Sequence, residues 1–188
     1  MNQKLLILKK NLESETQKAP HKKLYFFDES RFGTHSKIGH GWFAKGERTA
    51  VKIKLGFDNF YVYSAVDMSN GHDFSLIMPN VNTNCMNIYL LEMSEYLQGE
   101  EAIMVMDGAG WHKSKELSVP HNIKIIYLPP YSPELNPVEK LWQYLKSNTI
   151  KNKVYECIED LKEAICQFIR NFDPKIIMGV CSSNHYKD

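Results

Sequence analysis

Cysteine is sparse and shows no pairing pattern: Cys85, Cys157, Cys166 and Cys181 are widely spaced, and no Cys-x-x-Cys occurs. That spacing argues against zinc and redox frameworks and for reduced thiols in the cytoplasm. Long apolar runs are also missing; none approaches the about 18 residues of a membrane-spanning helix, so no membrane partner is expected. The N-terminal apolar stretch is too short and wrongly flanked for a signal peptide. Excess charge of one sign is absent, with 23 Lys and Arg against 22 Asp and Glu, a net charge of +1. Such a balance is weak for a chain that must hold nucleic acid unaided, because phosphate contacts dominate that affinity. Neither an internal repeat nor a low-complexity segment is present.

What remains is an ordinary globular composition, 43% hydrophobic and 24% charged over 188 residues, enough for one domain with a real core. Residues 1–22 read as a partly amphipathic lead-in, a linker or remnant, ending at Ala19 and Pro20. The apolar run 24–28 predicts a buried strand. Gly33, Gly39, Gly41 and Gly46 predict a loop or hairpin over 31–46. Runs 49–57 and 60–67, split by Asp58 and Asn59, predict a hairpin, with 72–78 as a further strand. Over 82–98 the apolar spacing becomes helical (Met86, Tyr89, Leu90, Met93, Tyr96, Leu97), and Gly99 is the stop signal. Strands follow at 102–107 and 123–128. Two helical stripes close the chain, one through Val138, Leu141, Trp142, Leu145 and Thr149, the other through Ile158, Leu161, Ile165, Phe168, Ile169 and Phe172. A meander that gives way to strand–helix alternation predicts an α/β fold, a mixed sheet flanked by helices.

Three carboxylates stand at element ends in this reading: Asp28, Asp107 and Glu139. Phosphodiester cleavage at a two-metal site needs no protein nucleophile, since two cations about 3.5–4 Å apart activate the attacking oxygen and stabilise the leaving one. Mg²⁺ takes oxygen ligands and keeps several waters, so a few carboxylates suffice. Each acid also has a purely structural explanation. A strand-end aspartate is commonly a turn residue or cap. Asn136, Pro137 and Glu139 match N-cap, first helical position and the third position of a capping box. On spacing alone, capping is the stronger explanation for Glu139.

The flanking strings shift that balance. Asp107-Gly108-Ala109-Gly110-Trp111-His112-Lys113 and Pro129-Pro130-Tyr131-Ser132-Pro133-Glu134-Leu135-Asn136-Pro137-Val138-Glu139 closely resemble the catalytic domain of bacterial insertion-sequence transposases of the mariner-like superfamily. Asp28-Glu29-Ser30-Arg31-Phe32-Gly33 and the segment Gly41-Trp42-Phe43-Ala44-Lys45-Gly46 add a weaker match. The resemblance implies a ribonuclease-H-like catalytic domain over 23–175, with 176–188 as a C-terminal tail. It implies an Asp-Asp-Glu triad on Asp28, Asp107 and Glu139 that serves as catalytic and metal-binding set for two Mg²⁺ or Mn²⁺ ions. The implied activity is that of a transposase or endonuclease, cutting DNA and transferring the strand at insertion-sequence ends. Two departures are noted: the gap between Asp107 and Glu139 is slightly shorter than in animal members, and Gly108 replaces a common Asn.

Further candidates for DNA contact or support are Arg31, Trp42, His112, Lys113 and Lys140. His112 could meet a phosphate or metal-bound water, or be a hydrogen-bonded loop histidine. Trp42 could stack on an extruded base or pack on the sheet. Lys113, Lys115, Lys140 and Lys146 could meet phosphate or simply be solvated. Trp142 falls on an apolar stripe and is expected in the core. The resemblance implies transposon-end and target DNA as partners, a homodimer in the active complex, and a helix-turn-helix half that this chain has no room for. Either that half is a separate reading frame or the chain is a truncated copy. A purely hydrolytic nuclease and a non-enzymatic remnant are the alternatives.

Overall fold

A computed structural model describes residues 3–34, 58–151 and 153–182. It begins with helix α1, Gln3–Lys18, and strand β1, Lys23–Gly33. Strands β2 (Asn59–Asp67) and β3 (His72–Met78) follow, then helix α2 (Thr83–Tyr96) and strand β4 (Ala102–Met106). Strand β5 (Ile123–Tyr127) leads into helices α3 (Val138–Thr149), α4 (Ile158–Arg170) and α5 (Pro174–Cys181). The sheet order is β3-β2-β1-β4-β5. Pairing is antiparallel for β1–β2 and β2–β3, and parallel for β1–β4 and β4–β5. The expected mixed sheet is therefore present.

Side chains alternate across the sheet as the strand period requires. In β1, Phe26 and Phe32 join a cluster with α1, α3, α4 and α5, while Tyr25 and Phe27 join a second cluster with α2. All five residues of β4 are buried, as expected of a central parallel strand covered on both faces. The buried positions of α3 are Val138, Leu141, Trp142, Leu145 and Thr149, the stripe read from the sequence. Helix α2 also stops just before the Gly99 signal. The Asn82 side chain caps it by accepting from the Cys85 N–H, and the chain leaves through positive φ at Gln98 and Gly99.

Several boundaries differ from expectation. Strand β1 does not end at Asp28 but runs on to Gly33, because β2 pairs with it through Asn59 and supplies a ladder the local sequence does not reveal. Arg31 to Gly33 are thus strand, not loop. The hairpin partner of β2 among the described residues is β3; the expected strand 49–57 and the remainder of the Gly-rich segment lie outside the described residues. The lead-in is a helix whose Leu5, Leu8 and Leu12 enter the main core. Part of the tail is helix α5, held at Ile177 and Cys181; it packs so closely on the β2–β3 turn that a Cβ at Gly71 would sit 2.2 Å from the Pro174 carbonyl oxygen. Among the described residues, no helix is long and apolar enough to cross a membrane.

The burial of α1 yields a test of whether residues 3–18 belong to the domain. Leu8 is 1% exposed and Ile7 on the same helix 51%. Leu8→Ala should lower the unfolding free energy by about 2–5 kcal/mol, read as a lower urea midpoint with the slope unchanged. Ile7→Ala should stay within about 0.5 kcal/mol of the parent.

Candidate active site

A pocket of about 430 Å³ opens beside the end of β4. Asp28, Asp107 and Glu139 line it, together with Gly108, Lys113, Asn136 and the Pro-rich loop 128–133. Strand register brings the two aspartates together. Phe26 pairs with Val105 across β1 and β4, and two further residues on each strand place Asp28 beside Asp107, on the same face because the period is two. Strand β4 stops at Met106, while β1 continues against β2 with Asp28 opposite Ser64. The pocket opens where one strand ends and its neighbour goes on.

Asp28 accepts a hydrogen bond from the Trp142 indole Nε1–H at 2.8 Å. Its carboxyl is pushed up to about 8, mainly by burial, then by the charges of Glu29 and Glu139, with the Trp142 bond opposing and Asp107 adding. Asp107 lies in the opposite environment, its side chain 55% exposed. Its Oδ1 accepts from the His112 Nδ1–H at 2.7 Å and from the Ala109 N–H at 3.0 Å. The His112 bond chiefly holds its carboxyl below the usual value, against some burial, helped by Ala109 and the charges of His112 and Lys113.

His112 itself is buried and does not line the pocket. Its Nε2 faces Glu29 Oε2 at 3.5 Å, a long ion-pair distance, and its ring meets the edge of Phe27. Burial works against the imidazolium, yet the bonds and charges of Asp107 and Glu29 outweigh it and raise His112 to about 9. Glu29 is further tied to the Trp111 indole at 3.2 Å. The chain Glu29–His112–Asp107 passes from one face of the sheet to the other. Glu29 did not stand out in the sequence; its signal is that it follows Asp28, which turns it toward the opposite face.

Glu139 sits exposed on the first turn of α3. The capping box expected for it is not formed. Asn136 Oδ1 does accept from the Val138 N–H at 3.2 Å, but the Asn136 N–H donates to Pro133 O at 2.8 Å, which removes the donor that Glu139 would need. The preceding loop is held by the Lys4 amine, which donates to the carbonyls of Pro130 and Tyr131. Tyr131 has φ 54 and is 95% exposed at the rim. A left-handed aromatic residue is strained and persists only where its surroundings hold it.

The other candidates separate clearly. Lys113 lines the pocket, its amine over the Tyr127 ring at 5.0 Å and so close to Gly108 that a Cβ there would lie 2.3 Å away. Lys140 does not; it bonds the Ser182 carbonyl. Arg31 is exposed on β1, an odd number of residues from Asp28, and so turns to the other face. Lys146 donates to Ser30 Oγ at 2.5 Å. Trp42 lies outside the described residues. Trp142 is in the core as its stripe implies, but periodicity gave no sign that its indole also serves Asp28.

Among the described residues, no three His, Cys, Asp or Glu side chains are drawn together tightly enough to ligate one ion. Asp28 is turned to Trp142 and Asp107 to His112. The donor set nevertheless suits a hard divalent cation. It offers oxygen ligands only, and one of them is a half-buried acid crowded by three like charges. Mg²⁺ retains waters and does not require an all-protein cage.

The two raised groups define a pH dependence. Asp28 rises from 3.8 to about 8, and His112 from 6.5 to about 9. In both cases the folded state binds the proton more tightly than the unfolded state, so stability falls as pH rises. For Asp28 the loss runs from about 4 to about 8, and for His112 from about 6.5 to about 9. Without divalent ions, the unfolding free energy from urea titration should fall between about pH 5 and about pH 9, on the order of a few kcal/mol. Asp28→Asn should flatten the lower part of that fall. Added Mg²⁺ should raise Tm more at the alkaline end, where it no longer competes with a proton on Asp28.

A family model for DDE superfamily endonucleases matches residues 23–162. The chain is 36% identical over 107 residues to an uncharacterized protein of Sinorhizobium fredii, covering 56% of this chain and 79% of that one. It is 25% identical over 179 residues to the uncharacterized 39 kDa protein of insertion element IS630 from Shigella sonnei, covering 92% of this chain and 51% of that one. It thus spans about half the length of the insertion-element relative. Among solved structures, the Mos1 transposase paired-end complex with the left transposon end matches 96% of this chain and 59% of its own, with 18% identity and a TM-score of 0.67. Mos1 paired-end complexes with Mn and with Mg give TM-scores of 0.66 and 0.65. At such identity the likeness speaks for the fold, and the mixed five-stranded sheet with flanking helices is ribonuclease-H-like. With a family model spanning the sheet and all three pocket acids, the chain belongs to the DDE superfamily of endonucleases.

Proposed function

We propose that this domain is the catalytic part of an insertion-sequence transposase, cutting DNA at the element's ends and joining the freed end to target DNA. The observation that carries this reading is the convergence of Asp28, Asp107 and Glu139 from β1, the end of β4 and the start of α3 onto one pocket. These three acids are the proposed catalytic and metal-binding residues, for two Mg²⁺ or Mn²⁺ ions. When bound, such ions activate a water or 3′-hydroxyl for in-line attack and stabilise the leaving oxygen. Mos1 transposase structures with Mn and with Mg support the choice of metal.

The chain's own residues supply orientation. The Trp142 indole fixes one oxygen of Asp28, and His112, charged and backed by Glu29, fixes one oxygen of Asp107. Groups that hold a ligand through its free atom typically matter about 10–100-fold for metal affinity or activity. Lys113, which lines the pocket, is the proposed phosphate contact. A net charge of +1 supports a division of labour in which a helix-turn-helix half brings the transposon ends and this domain does the chemistry. A homodimer in the active complex is carried over from the resemblance.

Asp107→Ala and Glu139→Gln should each lower Mg²⁺-dependent nicking of end DNA, and joining of a pre-cut end, by more than about 100-fold, beyond the usual loss for a supporting residue. The assay supplies a DNA-binding half. Full activity in both variants would sink the assignment. Nicking without any joined product would favour a purely hydrolytic nuclease.

A further inference from the structure

Asn136 is the buried polar residue that joins the two sides of the pocket. It is 4% exposed, and both ends of its side-chain amide are used. Nδ2 donates to the Phe27 carbonyl at 2.9 Å, across 109 positions of sequence. Oδ1 accepts from the Val138 N–H at 3.2 Å. Phe27 immediately precedes Asp28, and Val138 immediately precedes Glu139. One planar amide therefore spans the backbone just ahead of both carboxylates, with no flexible side chain between them.

We infer that Asn136 is a positioning residue whose amide sets the separation of Asp28 and Glu139, and through it the affinity of the pocket for a divalent cation; this rests on the proposed role of those acids. The geometry distinguishes this from plain helix capping. A cap needs only the acceptor, which Ser, Thr or Asp provides equally well. The bond to Phe27 is superfluous for a cap and specific for a tether. It also reaches the one strand edge segment that β4 has vacated, since β4 pairs with β1 only as far as Phe26. Phe27 O is thus bound by the amide of a loop residue where the strand ladder has run out. Sites of this kind tolerate about 0.5 Å of misplacement, and a planar amide with both ends bonded has no freedom to give that up.

Asn136→Ser keeps a cap acceptor but is too short to reach Phe27. Asn136→Asp keeps the cap and places an oxygen where the donor stood. The comparison control is Ile165→Val, a fully buried substitution in α4 that lowers stability without touching the tether. Mn²⁺ binding to the purified chain, followed by electron paramagnetic resonance, should weaken about 10–100-fold in both Asn136 variants and stay at the parent value in the control. With DNA, kcat should fall while KM for DNA holds. Parent-like Mn²⁺ affinity in Asn136→Ser, or a loss no larger than that of Ile165→Val, would overturn the tether and leave the function standing. Failure of the parent chain itself to bind Mn²⁺ would instead overturn the metal-site reading, and this inference with it.

Discussion

The parallel pairing of β1 with β4 is the constraint on which the pocket depends. Because the register is set by buried side chains on both faces, it cannot slip by one residue without turning every core position to the wrong side. That same register carries Asp28 and Asp107 to neighbouring positions. Only β4 ends there; β1 is held rigid by β2 on its other edge, so Asp28 stays in a ladder while Asp107 lies at the start of a turn. Everything that completes the pocket, from the Pro-rich loop to the first turn of α3, is arranged around that asymmetry.

The electrostatics follow from it. One acid is enclosed and raised, the other open and lowered, although they share a pocket. Environments that push two like groups apart are a recurring sign of a working site. Here the price is a half-buried carboxyl among like charges, and the fold offsets it with a tryptophan N–H on one side and a histidinium between two carboxylates on the other. A cation in the pocket would relieve what the protein alone only partly balances.

Much of the frame was legible beforehand. The α3 stripe, the Gly99 stop and the strand–helix alternation all rest on interactions within a few residues, where period and propensity speak directly. Asp107 and Glu139 were legible because they sit in long, distinctive strings, and Asp28 through a weaker one. What escaped was non-local. The length of β1 depended on β2, the docking of α1 on a groove made by later elements, and the absence of a capping box on Pro133 claiming the Asn136 N–H. Glu29 carries no local signal because its role lies in which face it turns to and in a histidine far along the chain.

By itself, the sequence determined most of the strands and helices, the apolar face of α3 and the candidate acids, since these follow from local period, turn chemistry or motif; α1 and α5 were not among the helices it showed. Only the tertiary structure decided which distant partners stand behind them: Trp142 on Asp28, and Glu29 beside the His112 that binds Asp107. The His112–Asp107 bond spans only five positions, but Trp142 lies 114 positions from Asp28, a contact that strand register and helix docking make and that no local pattern encodes.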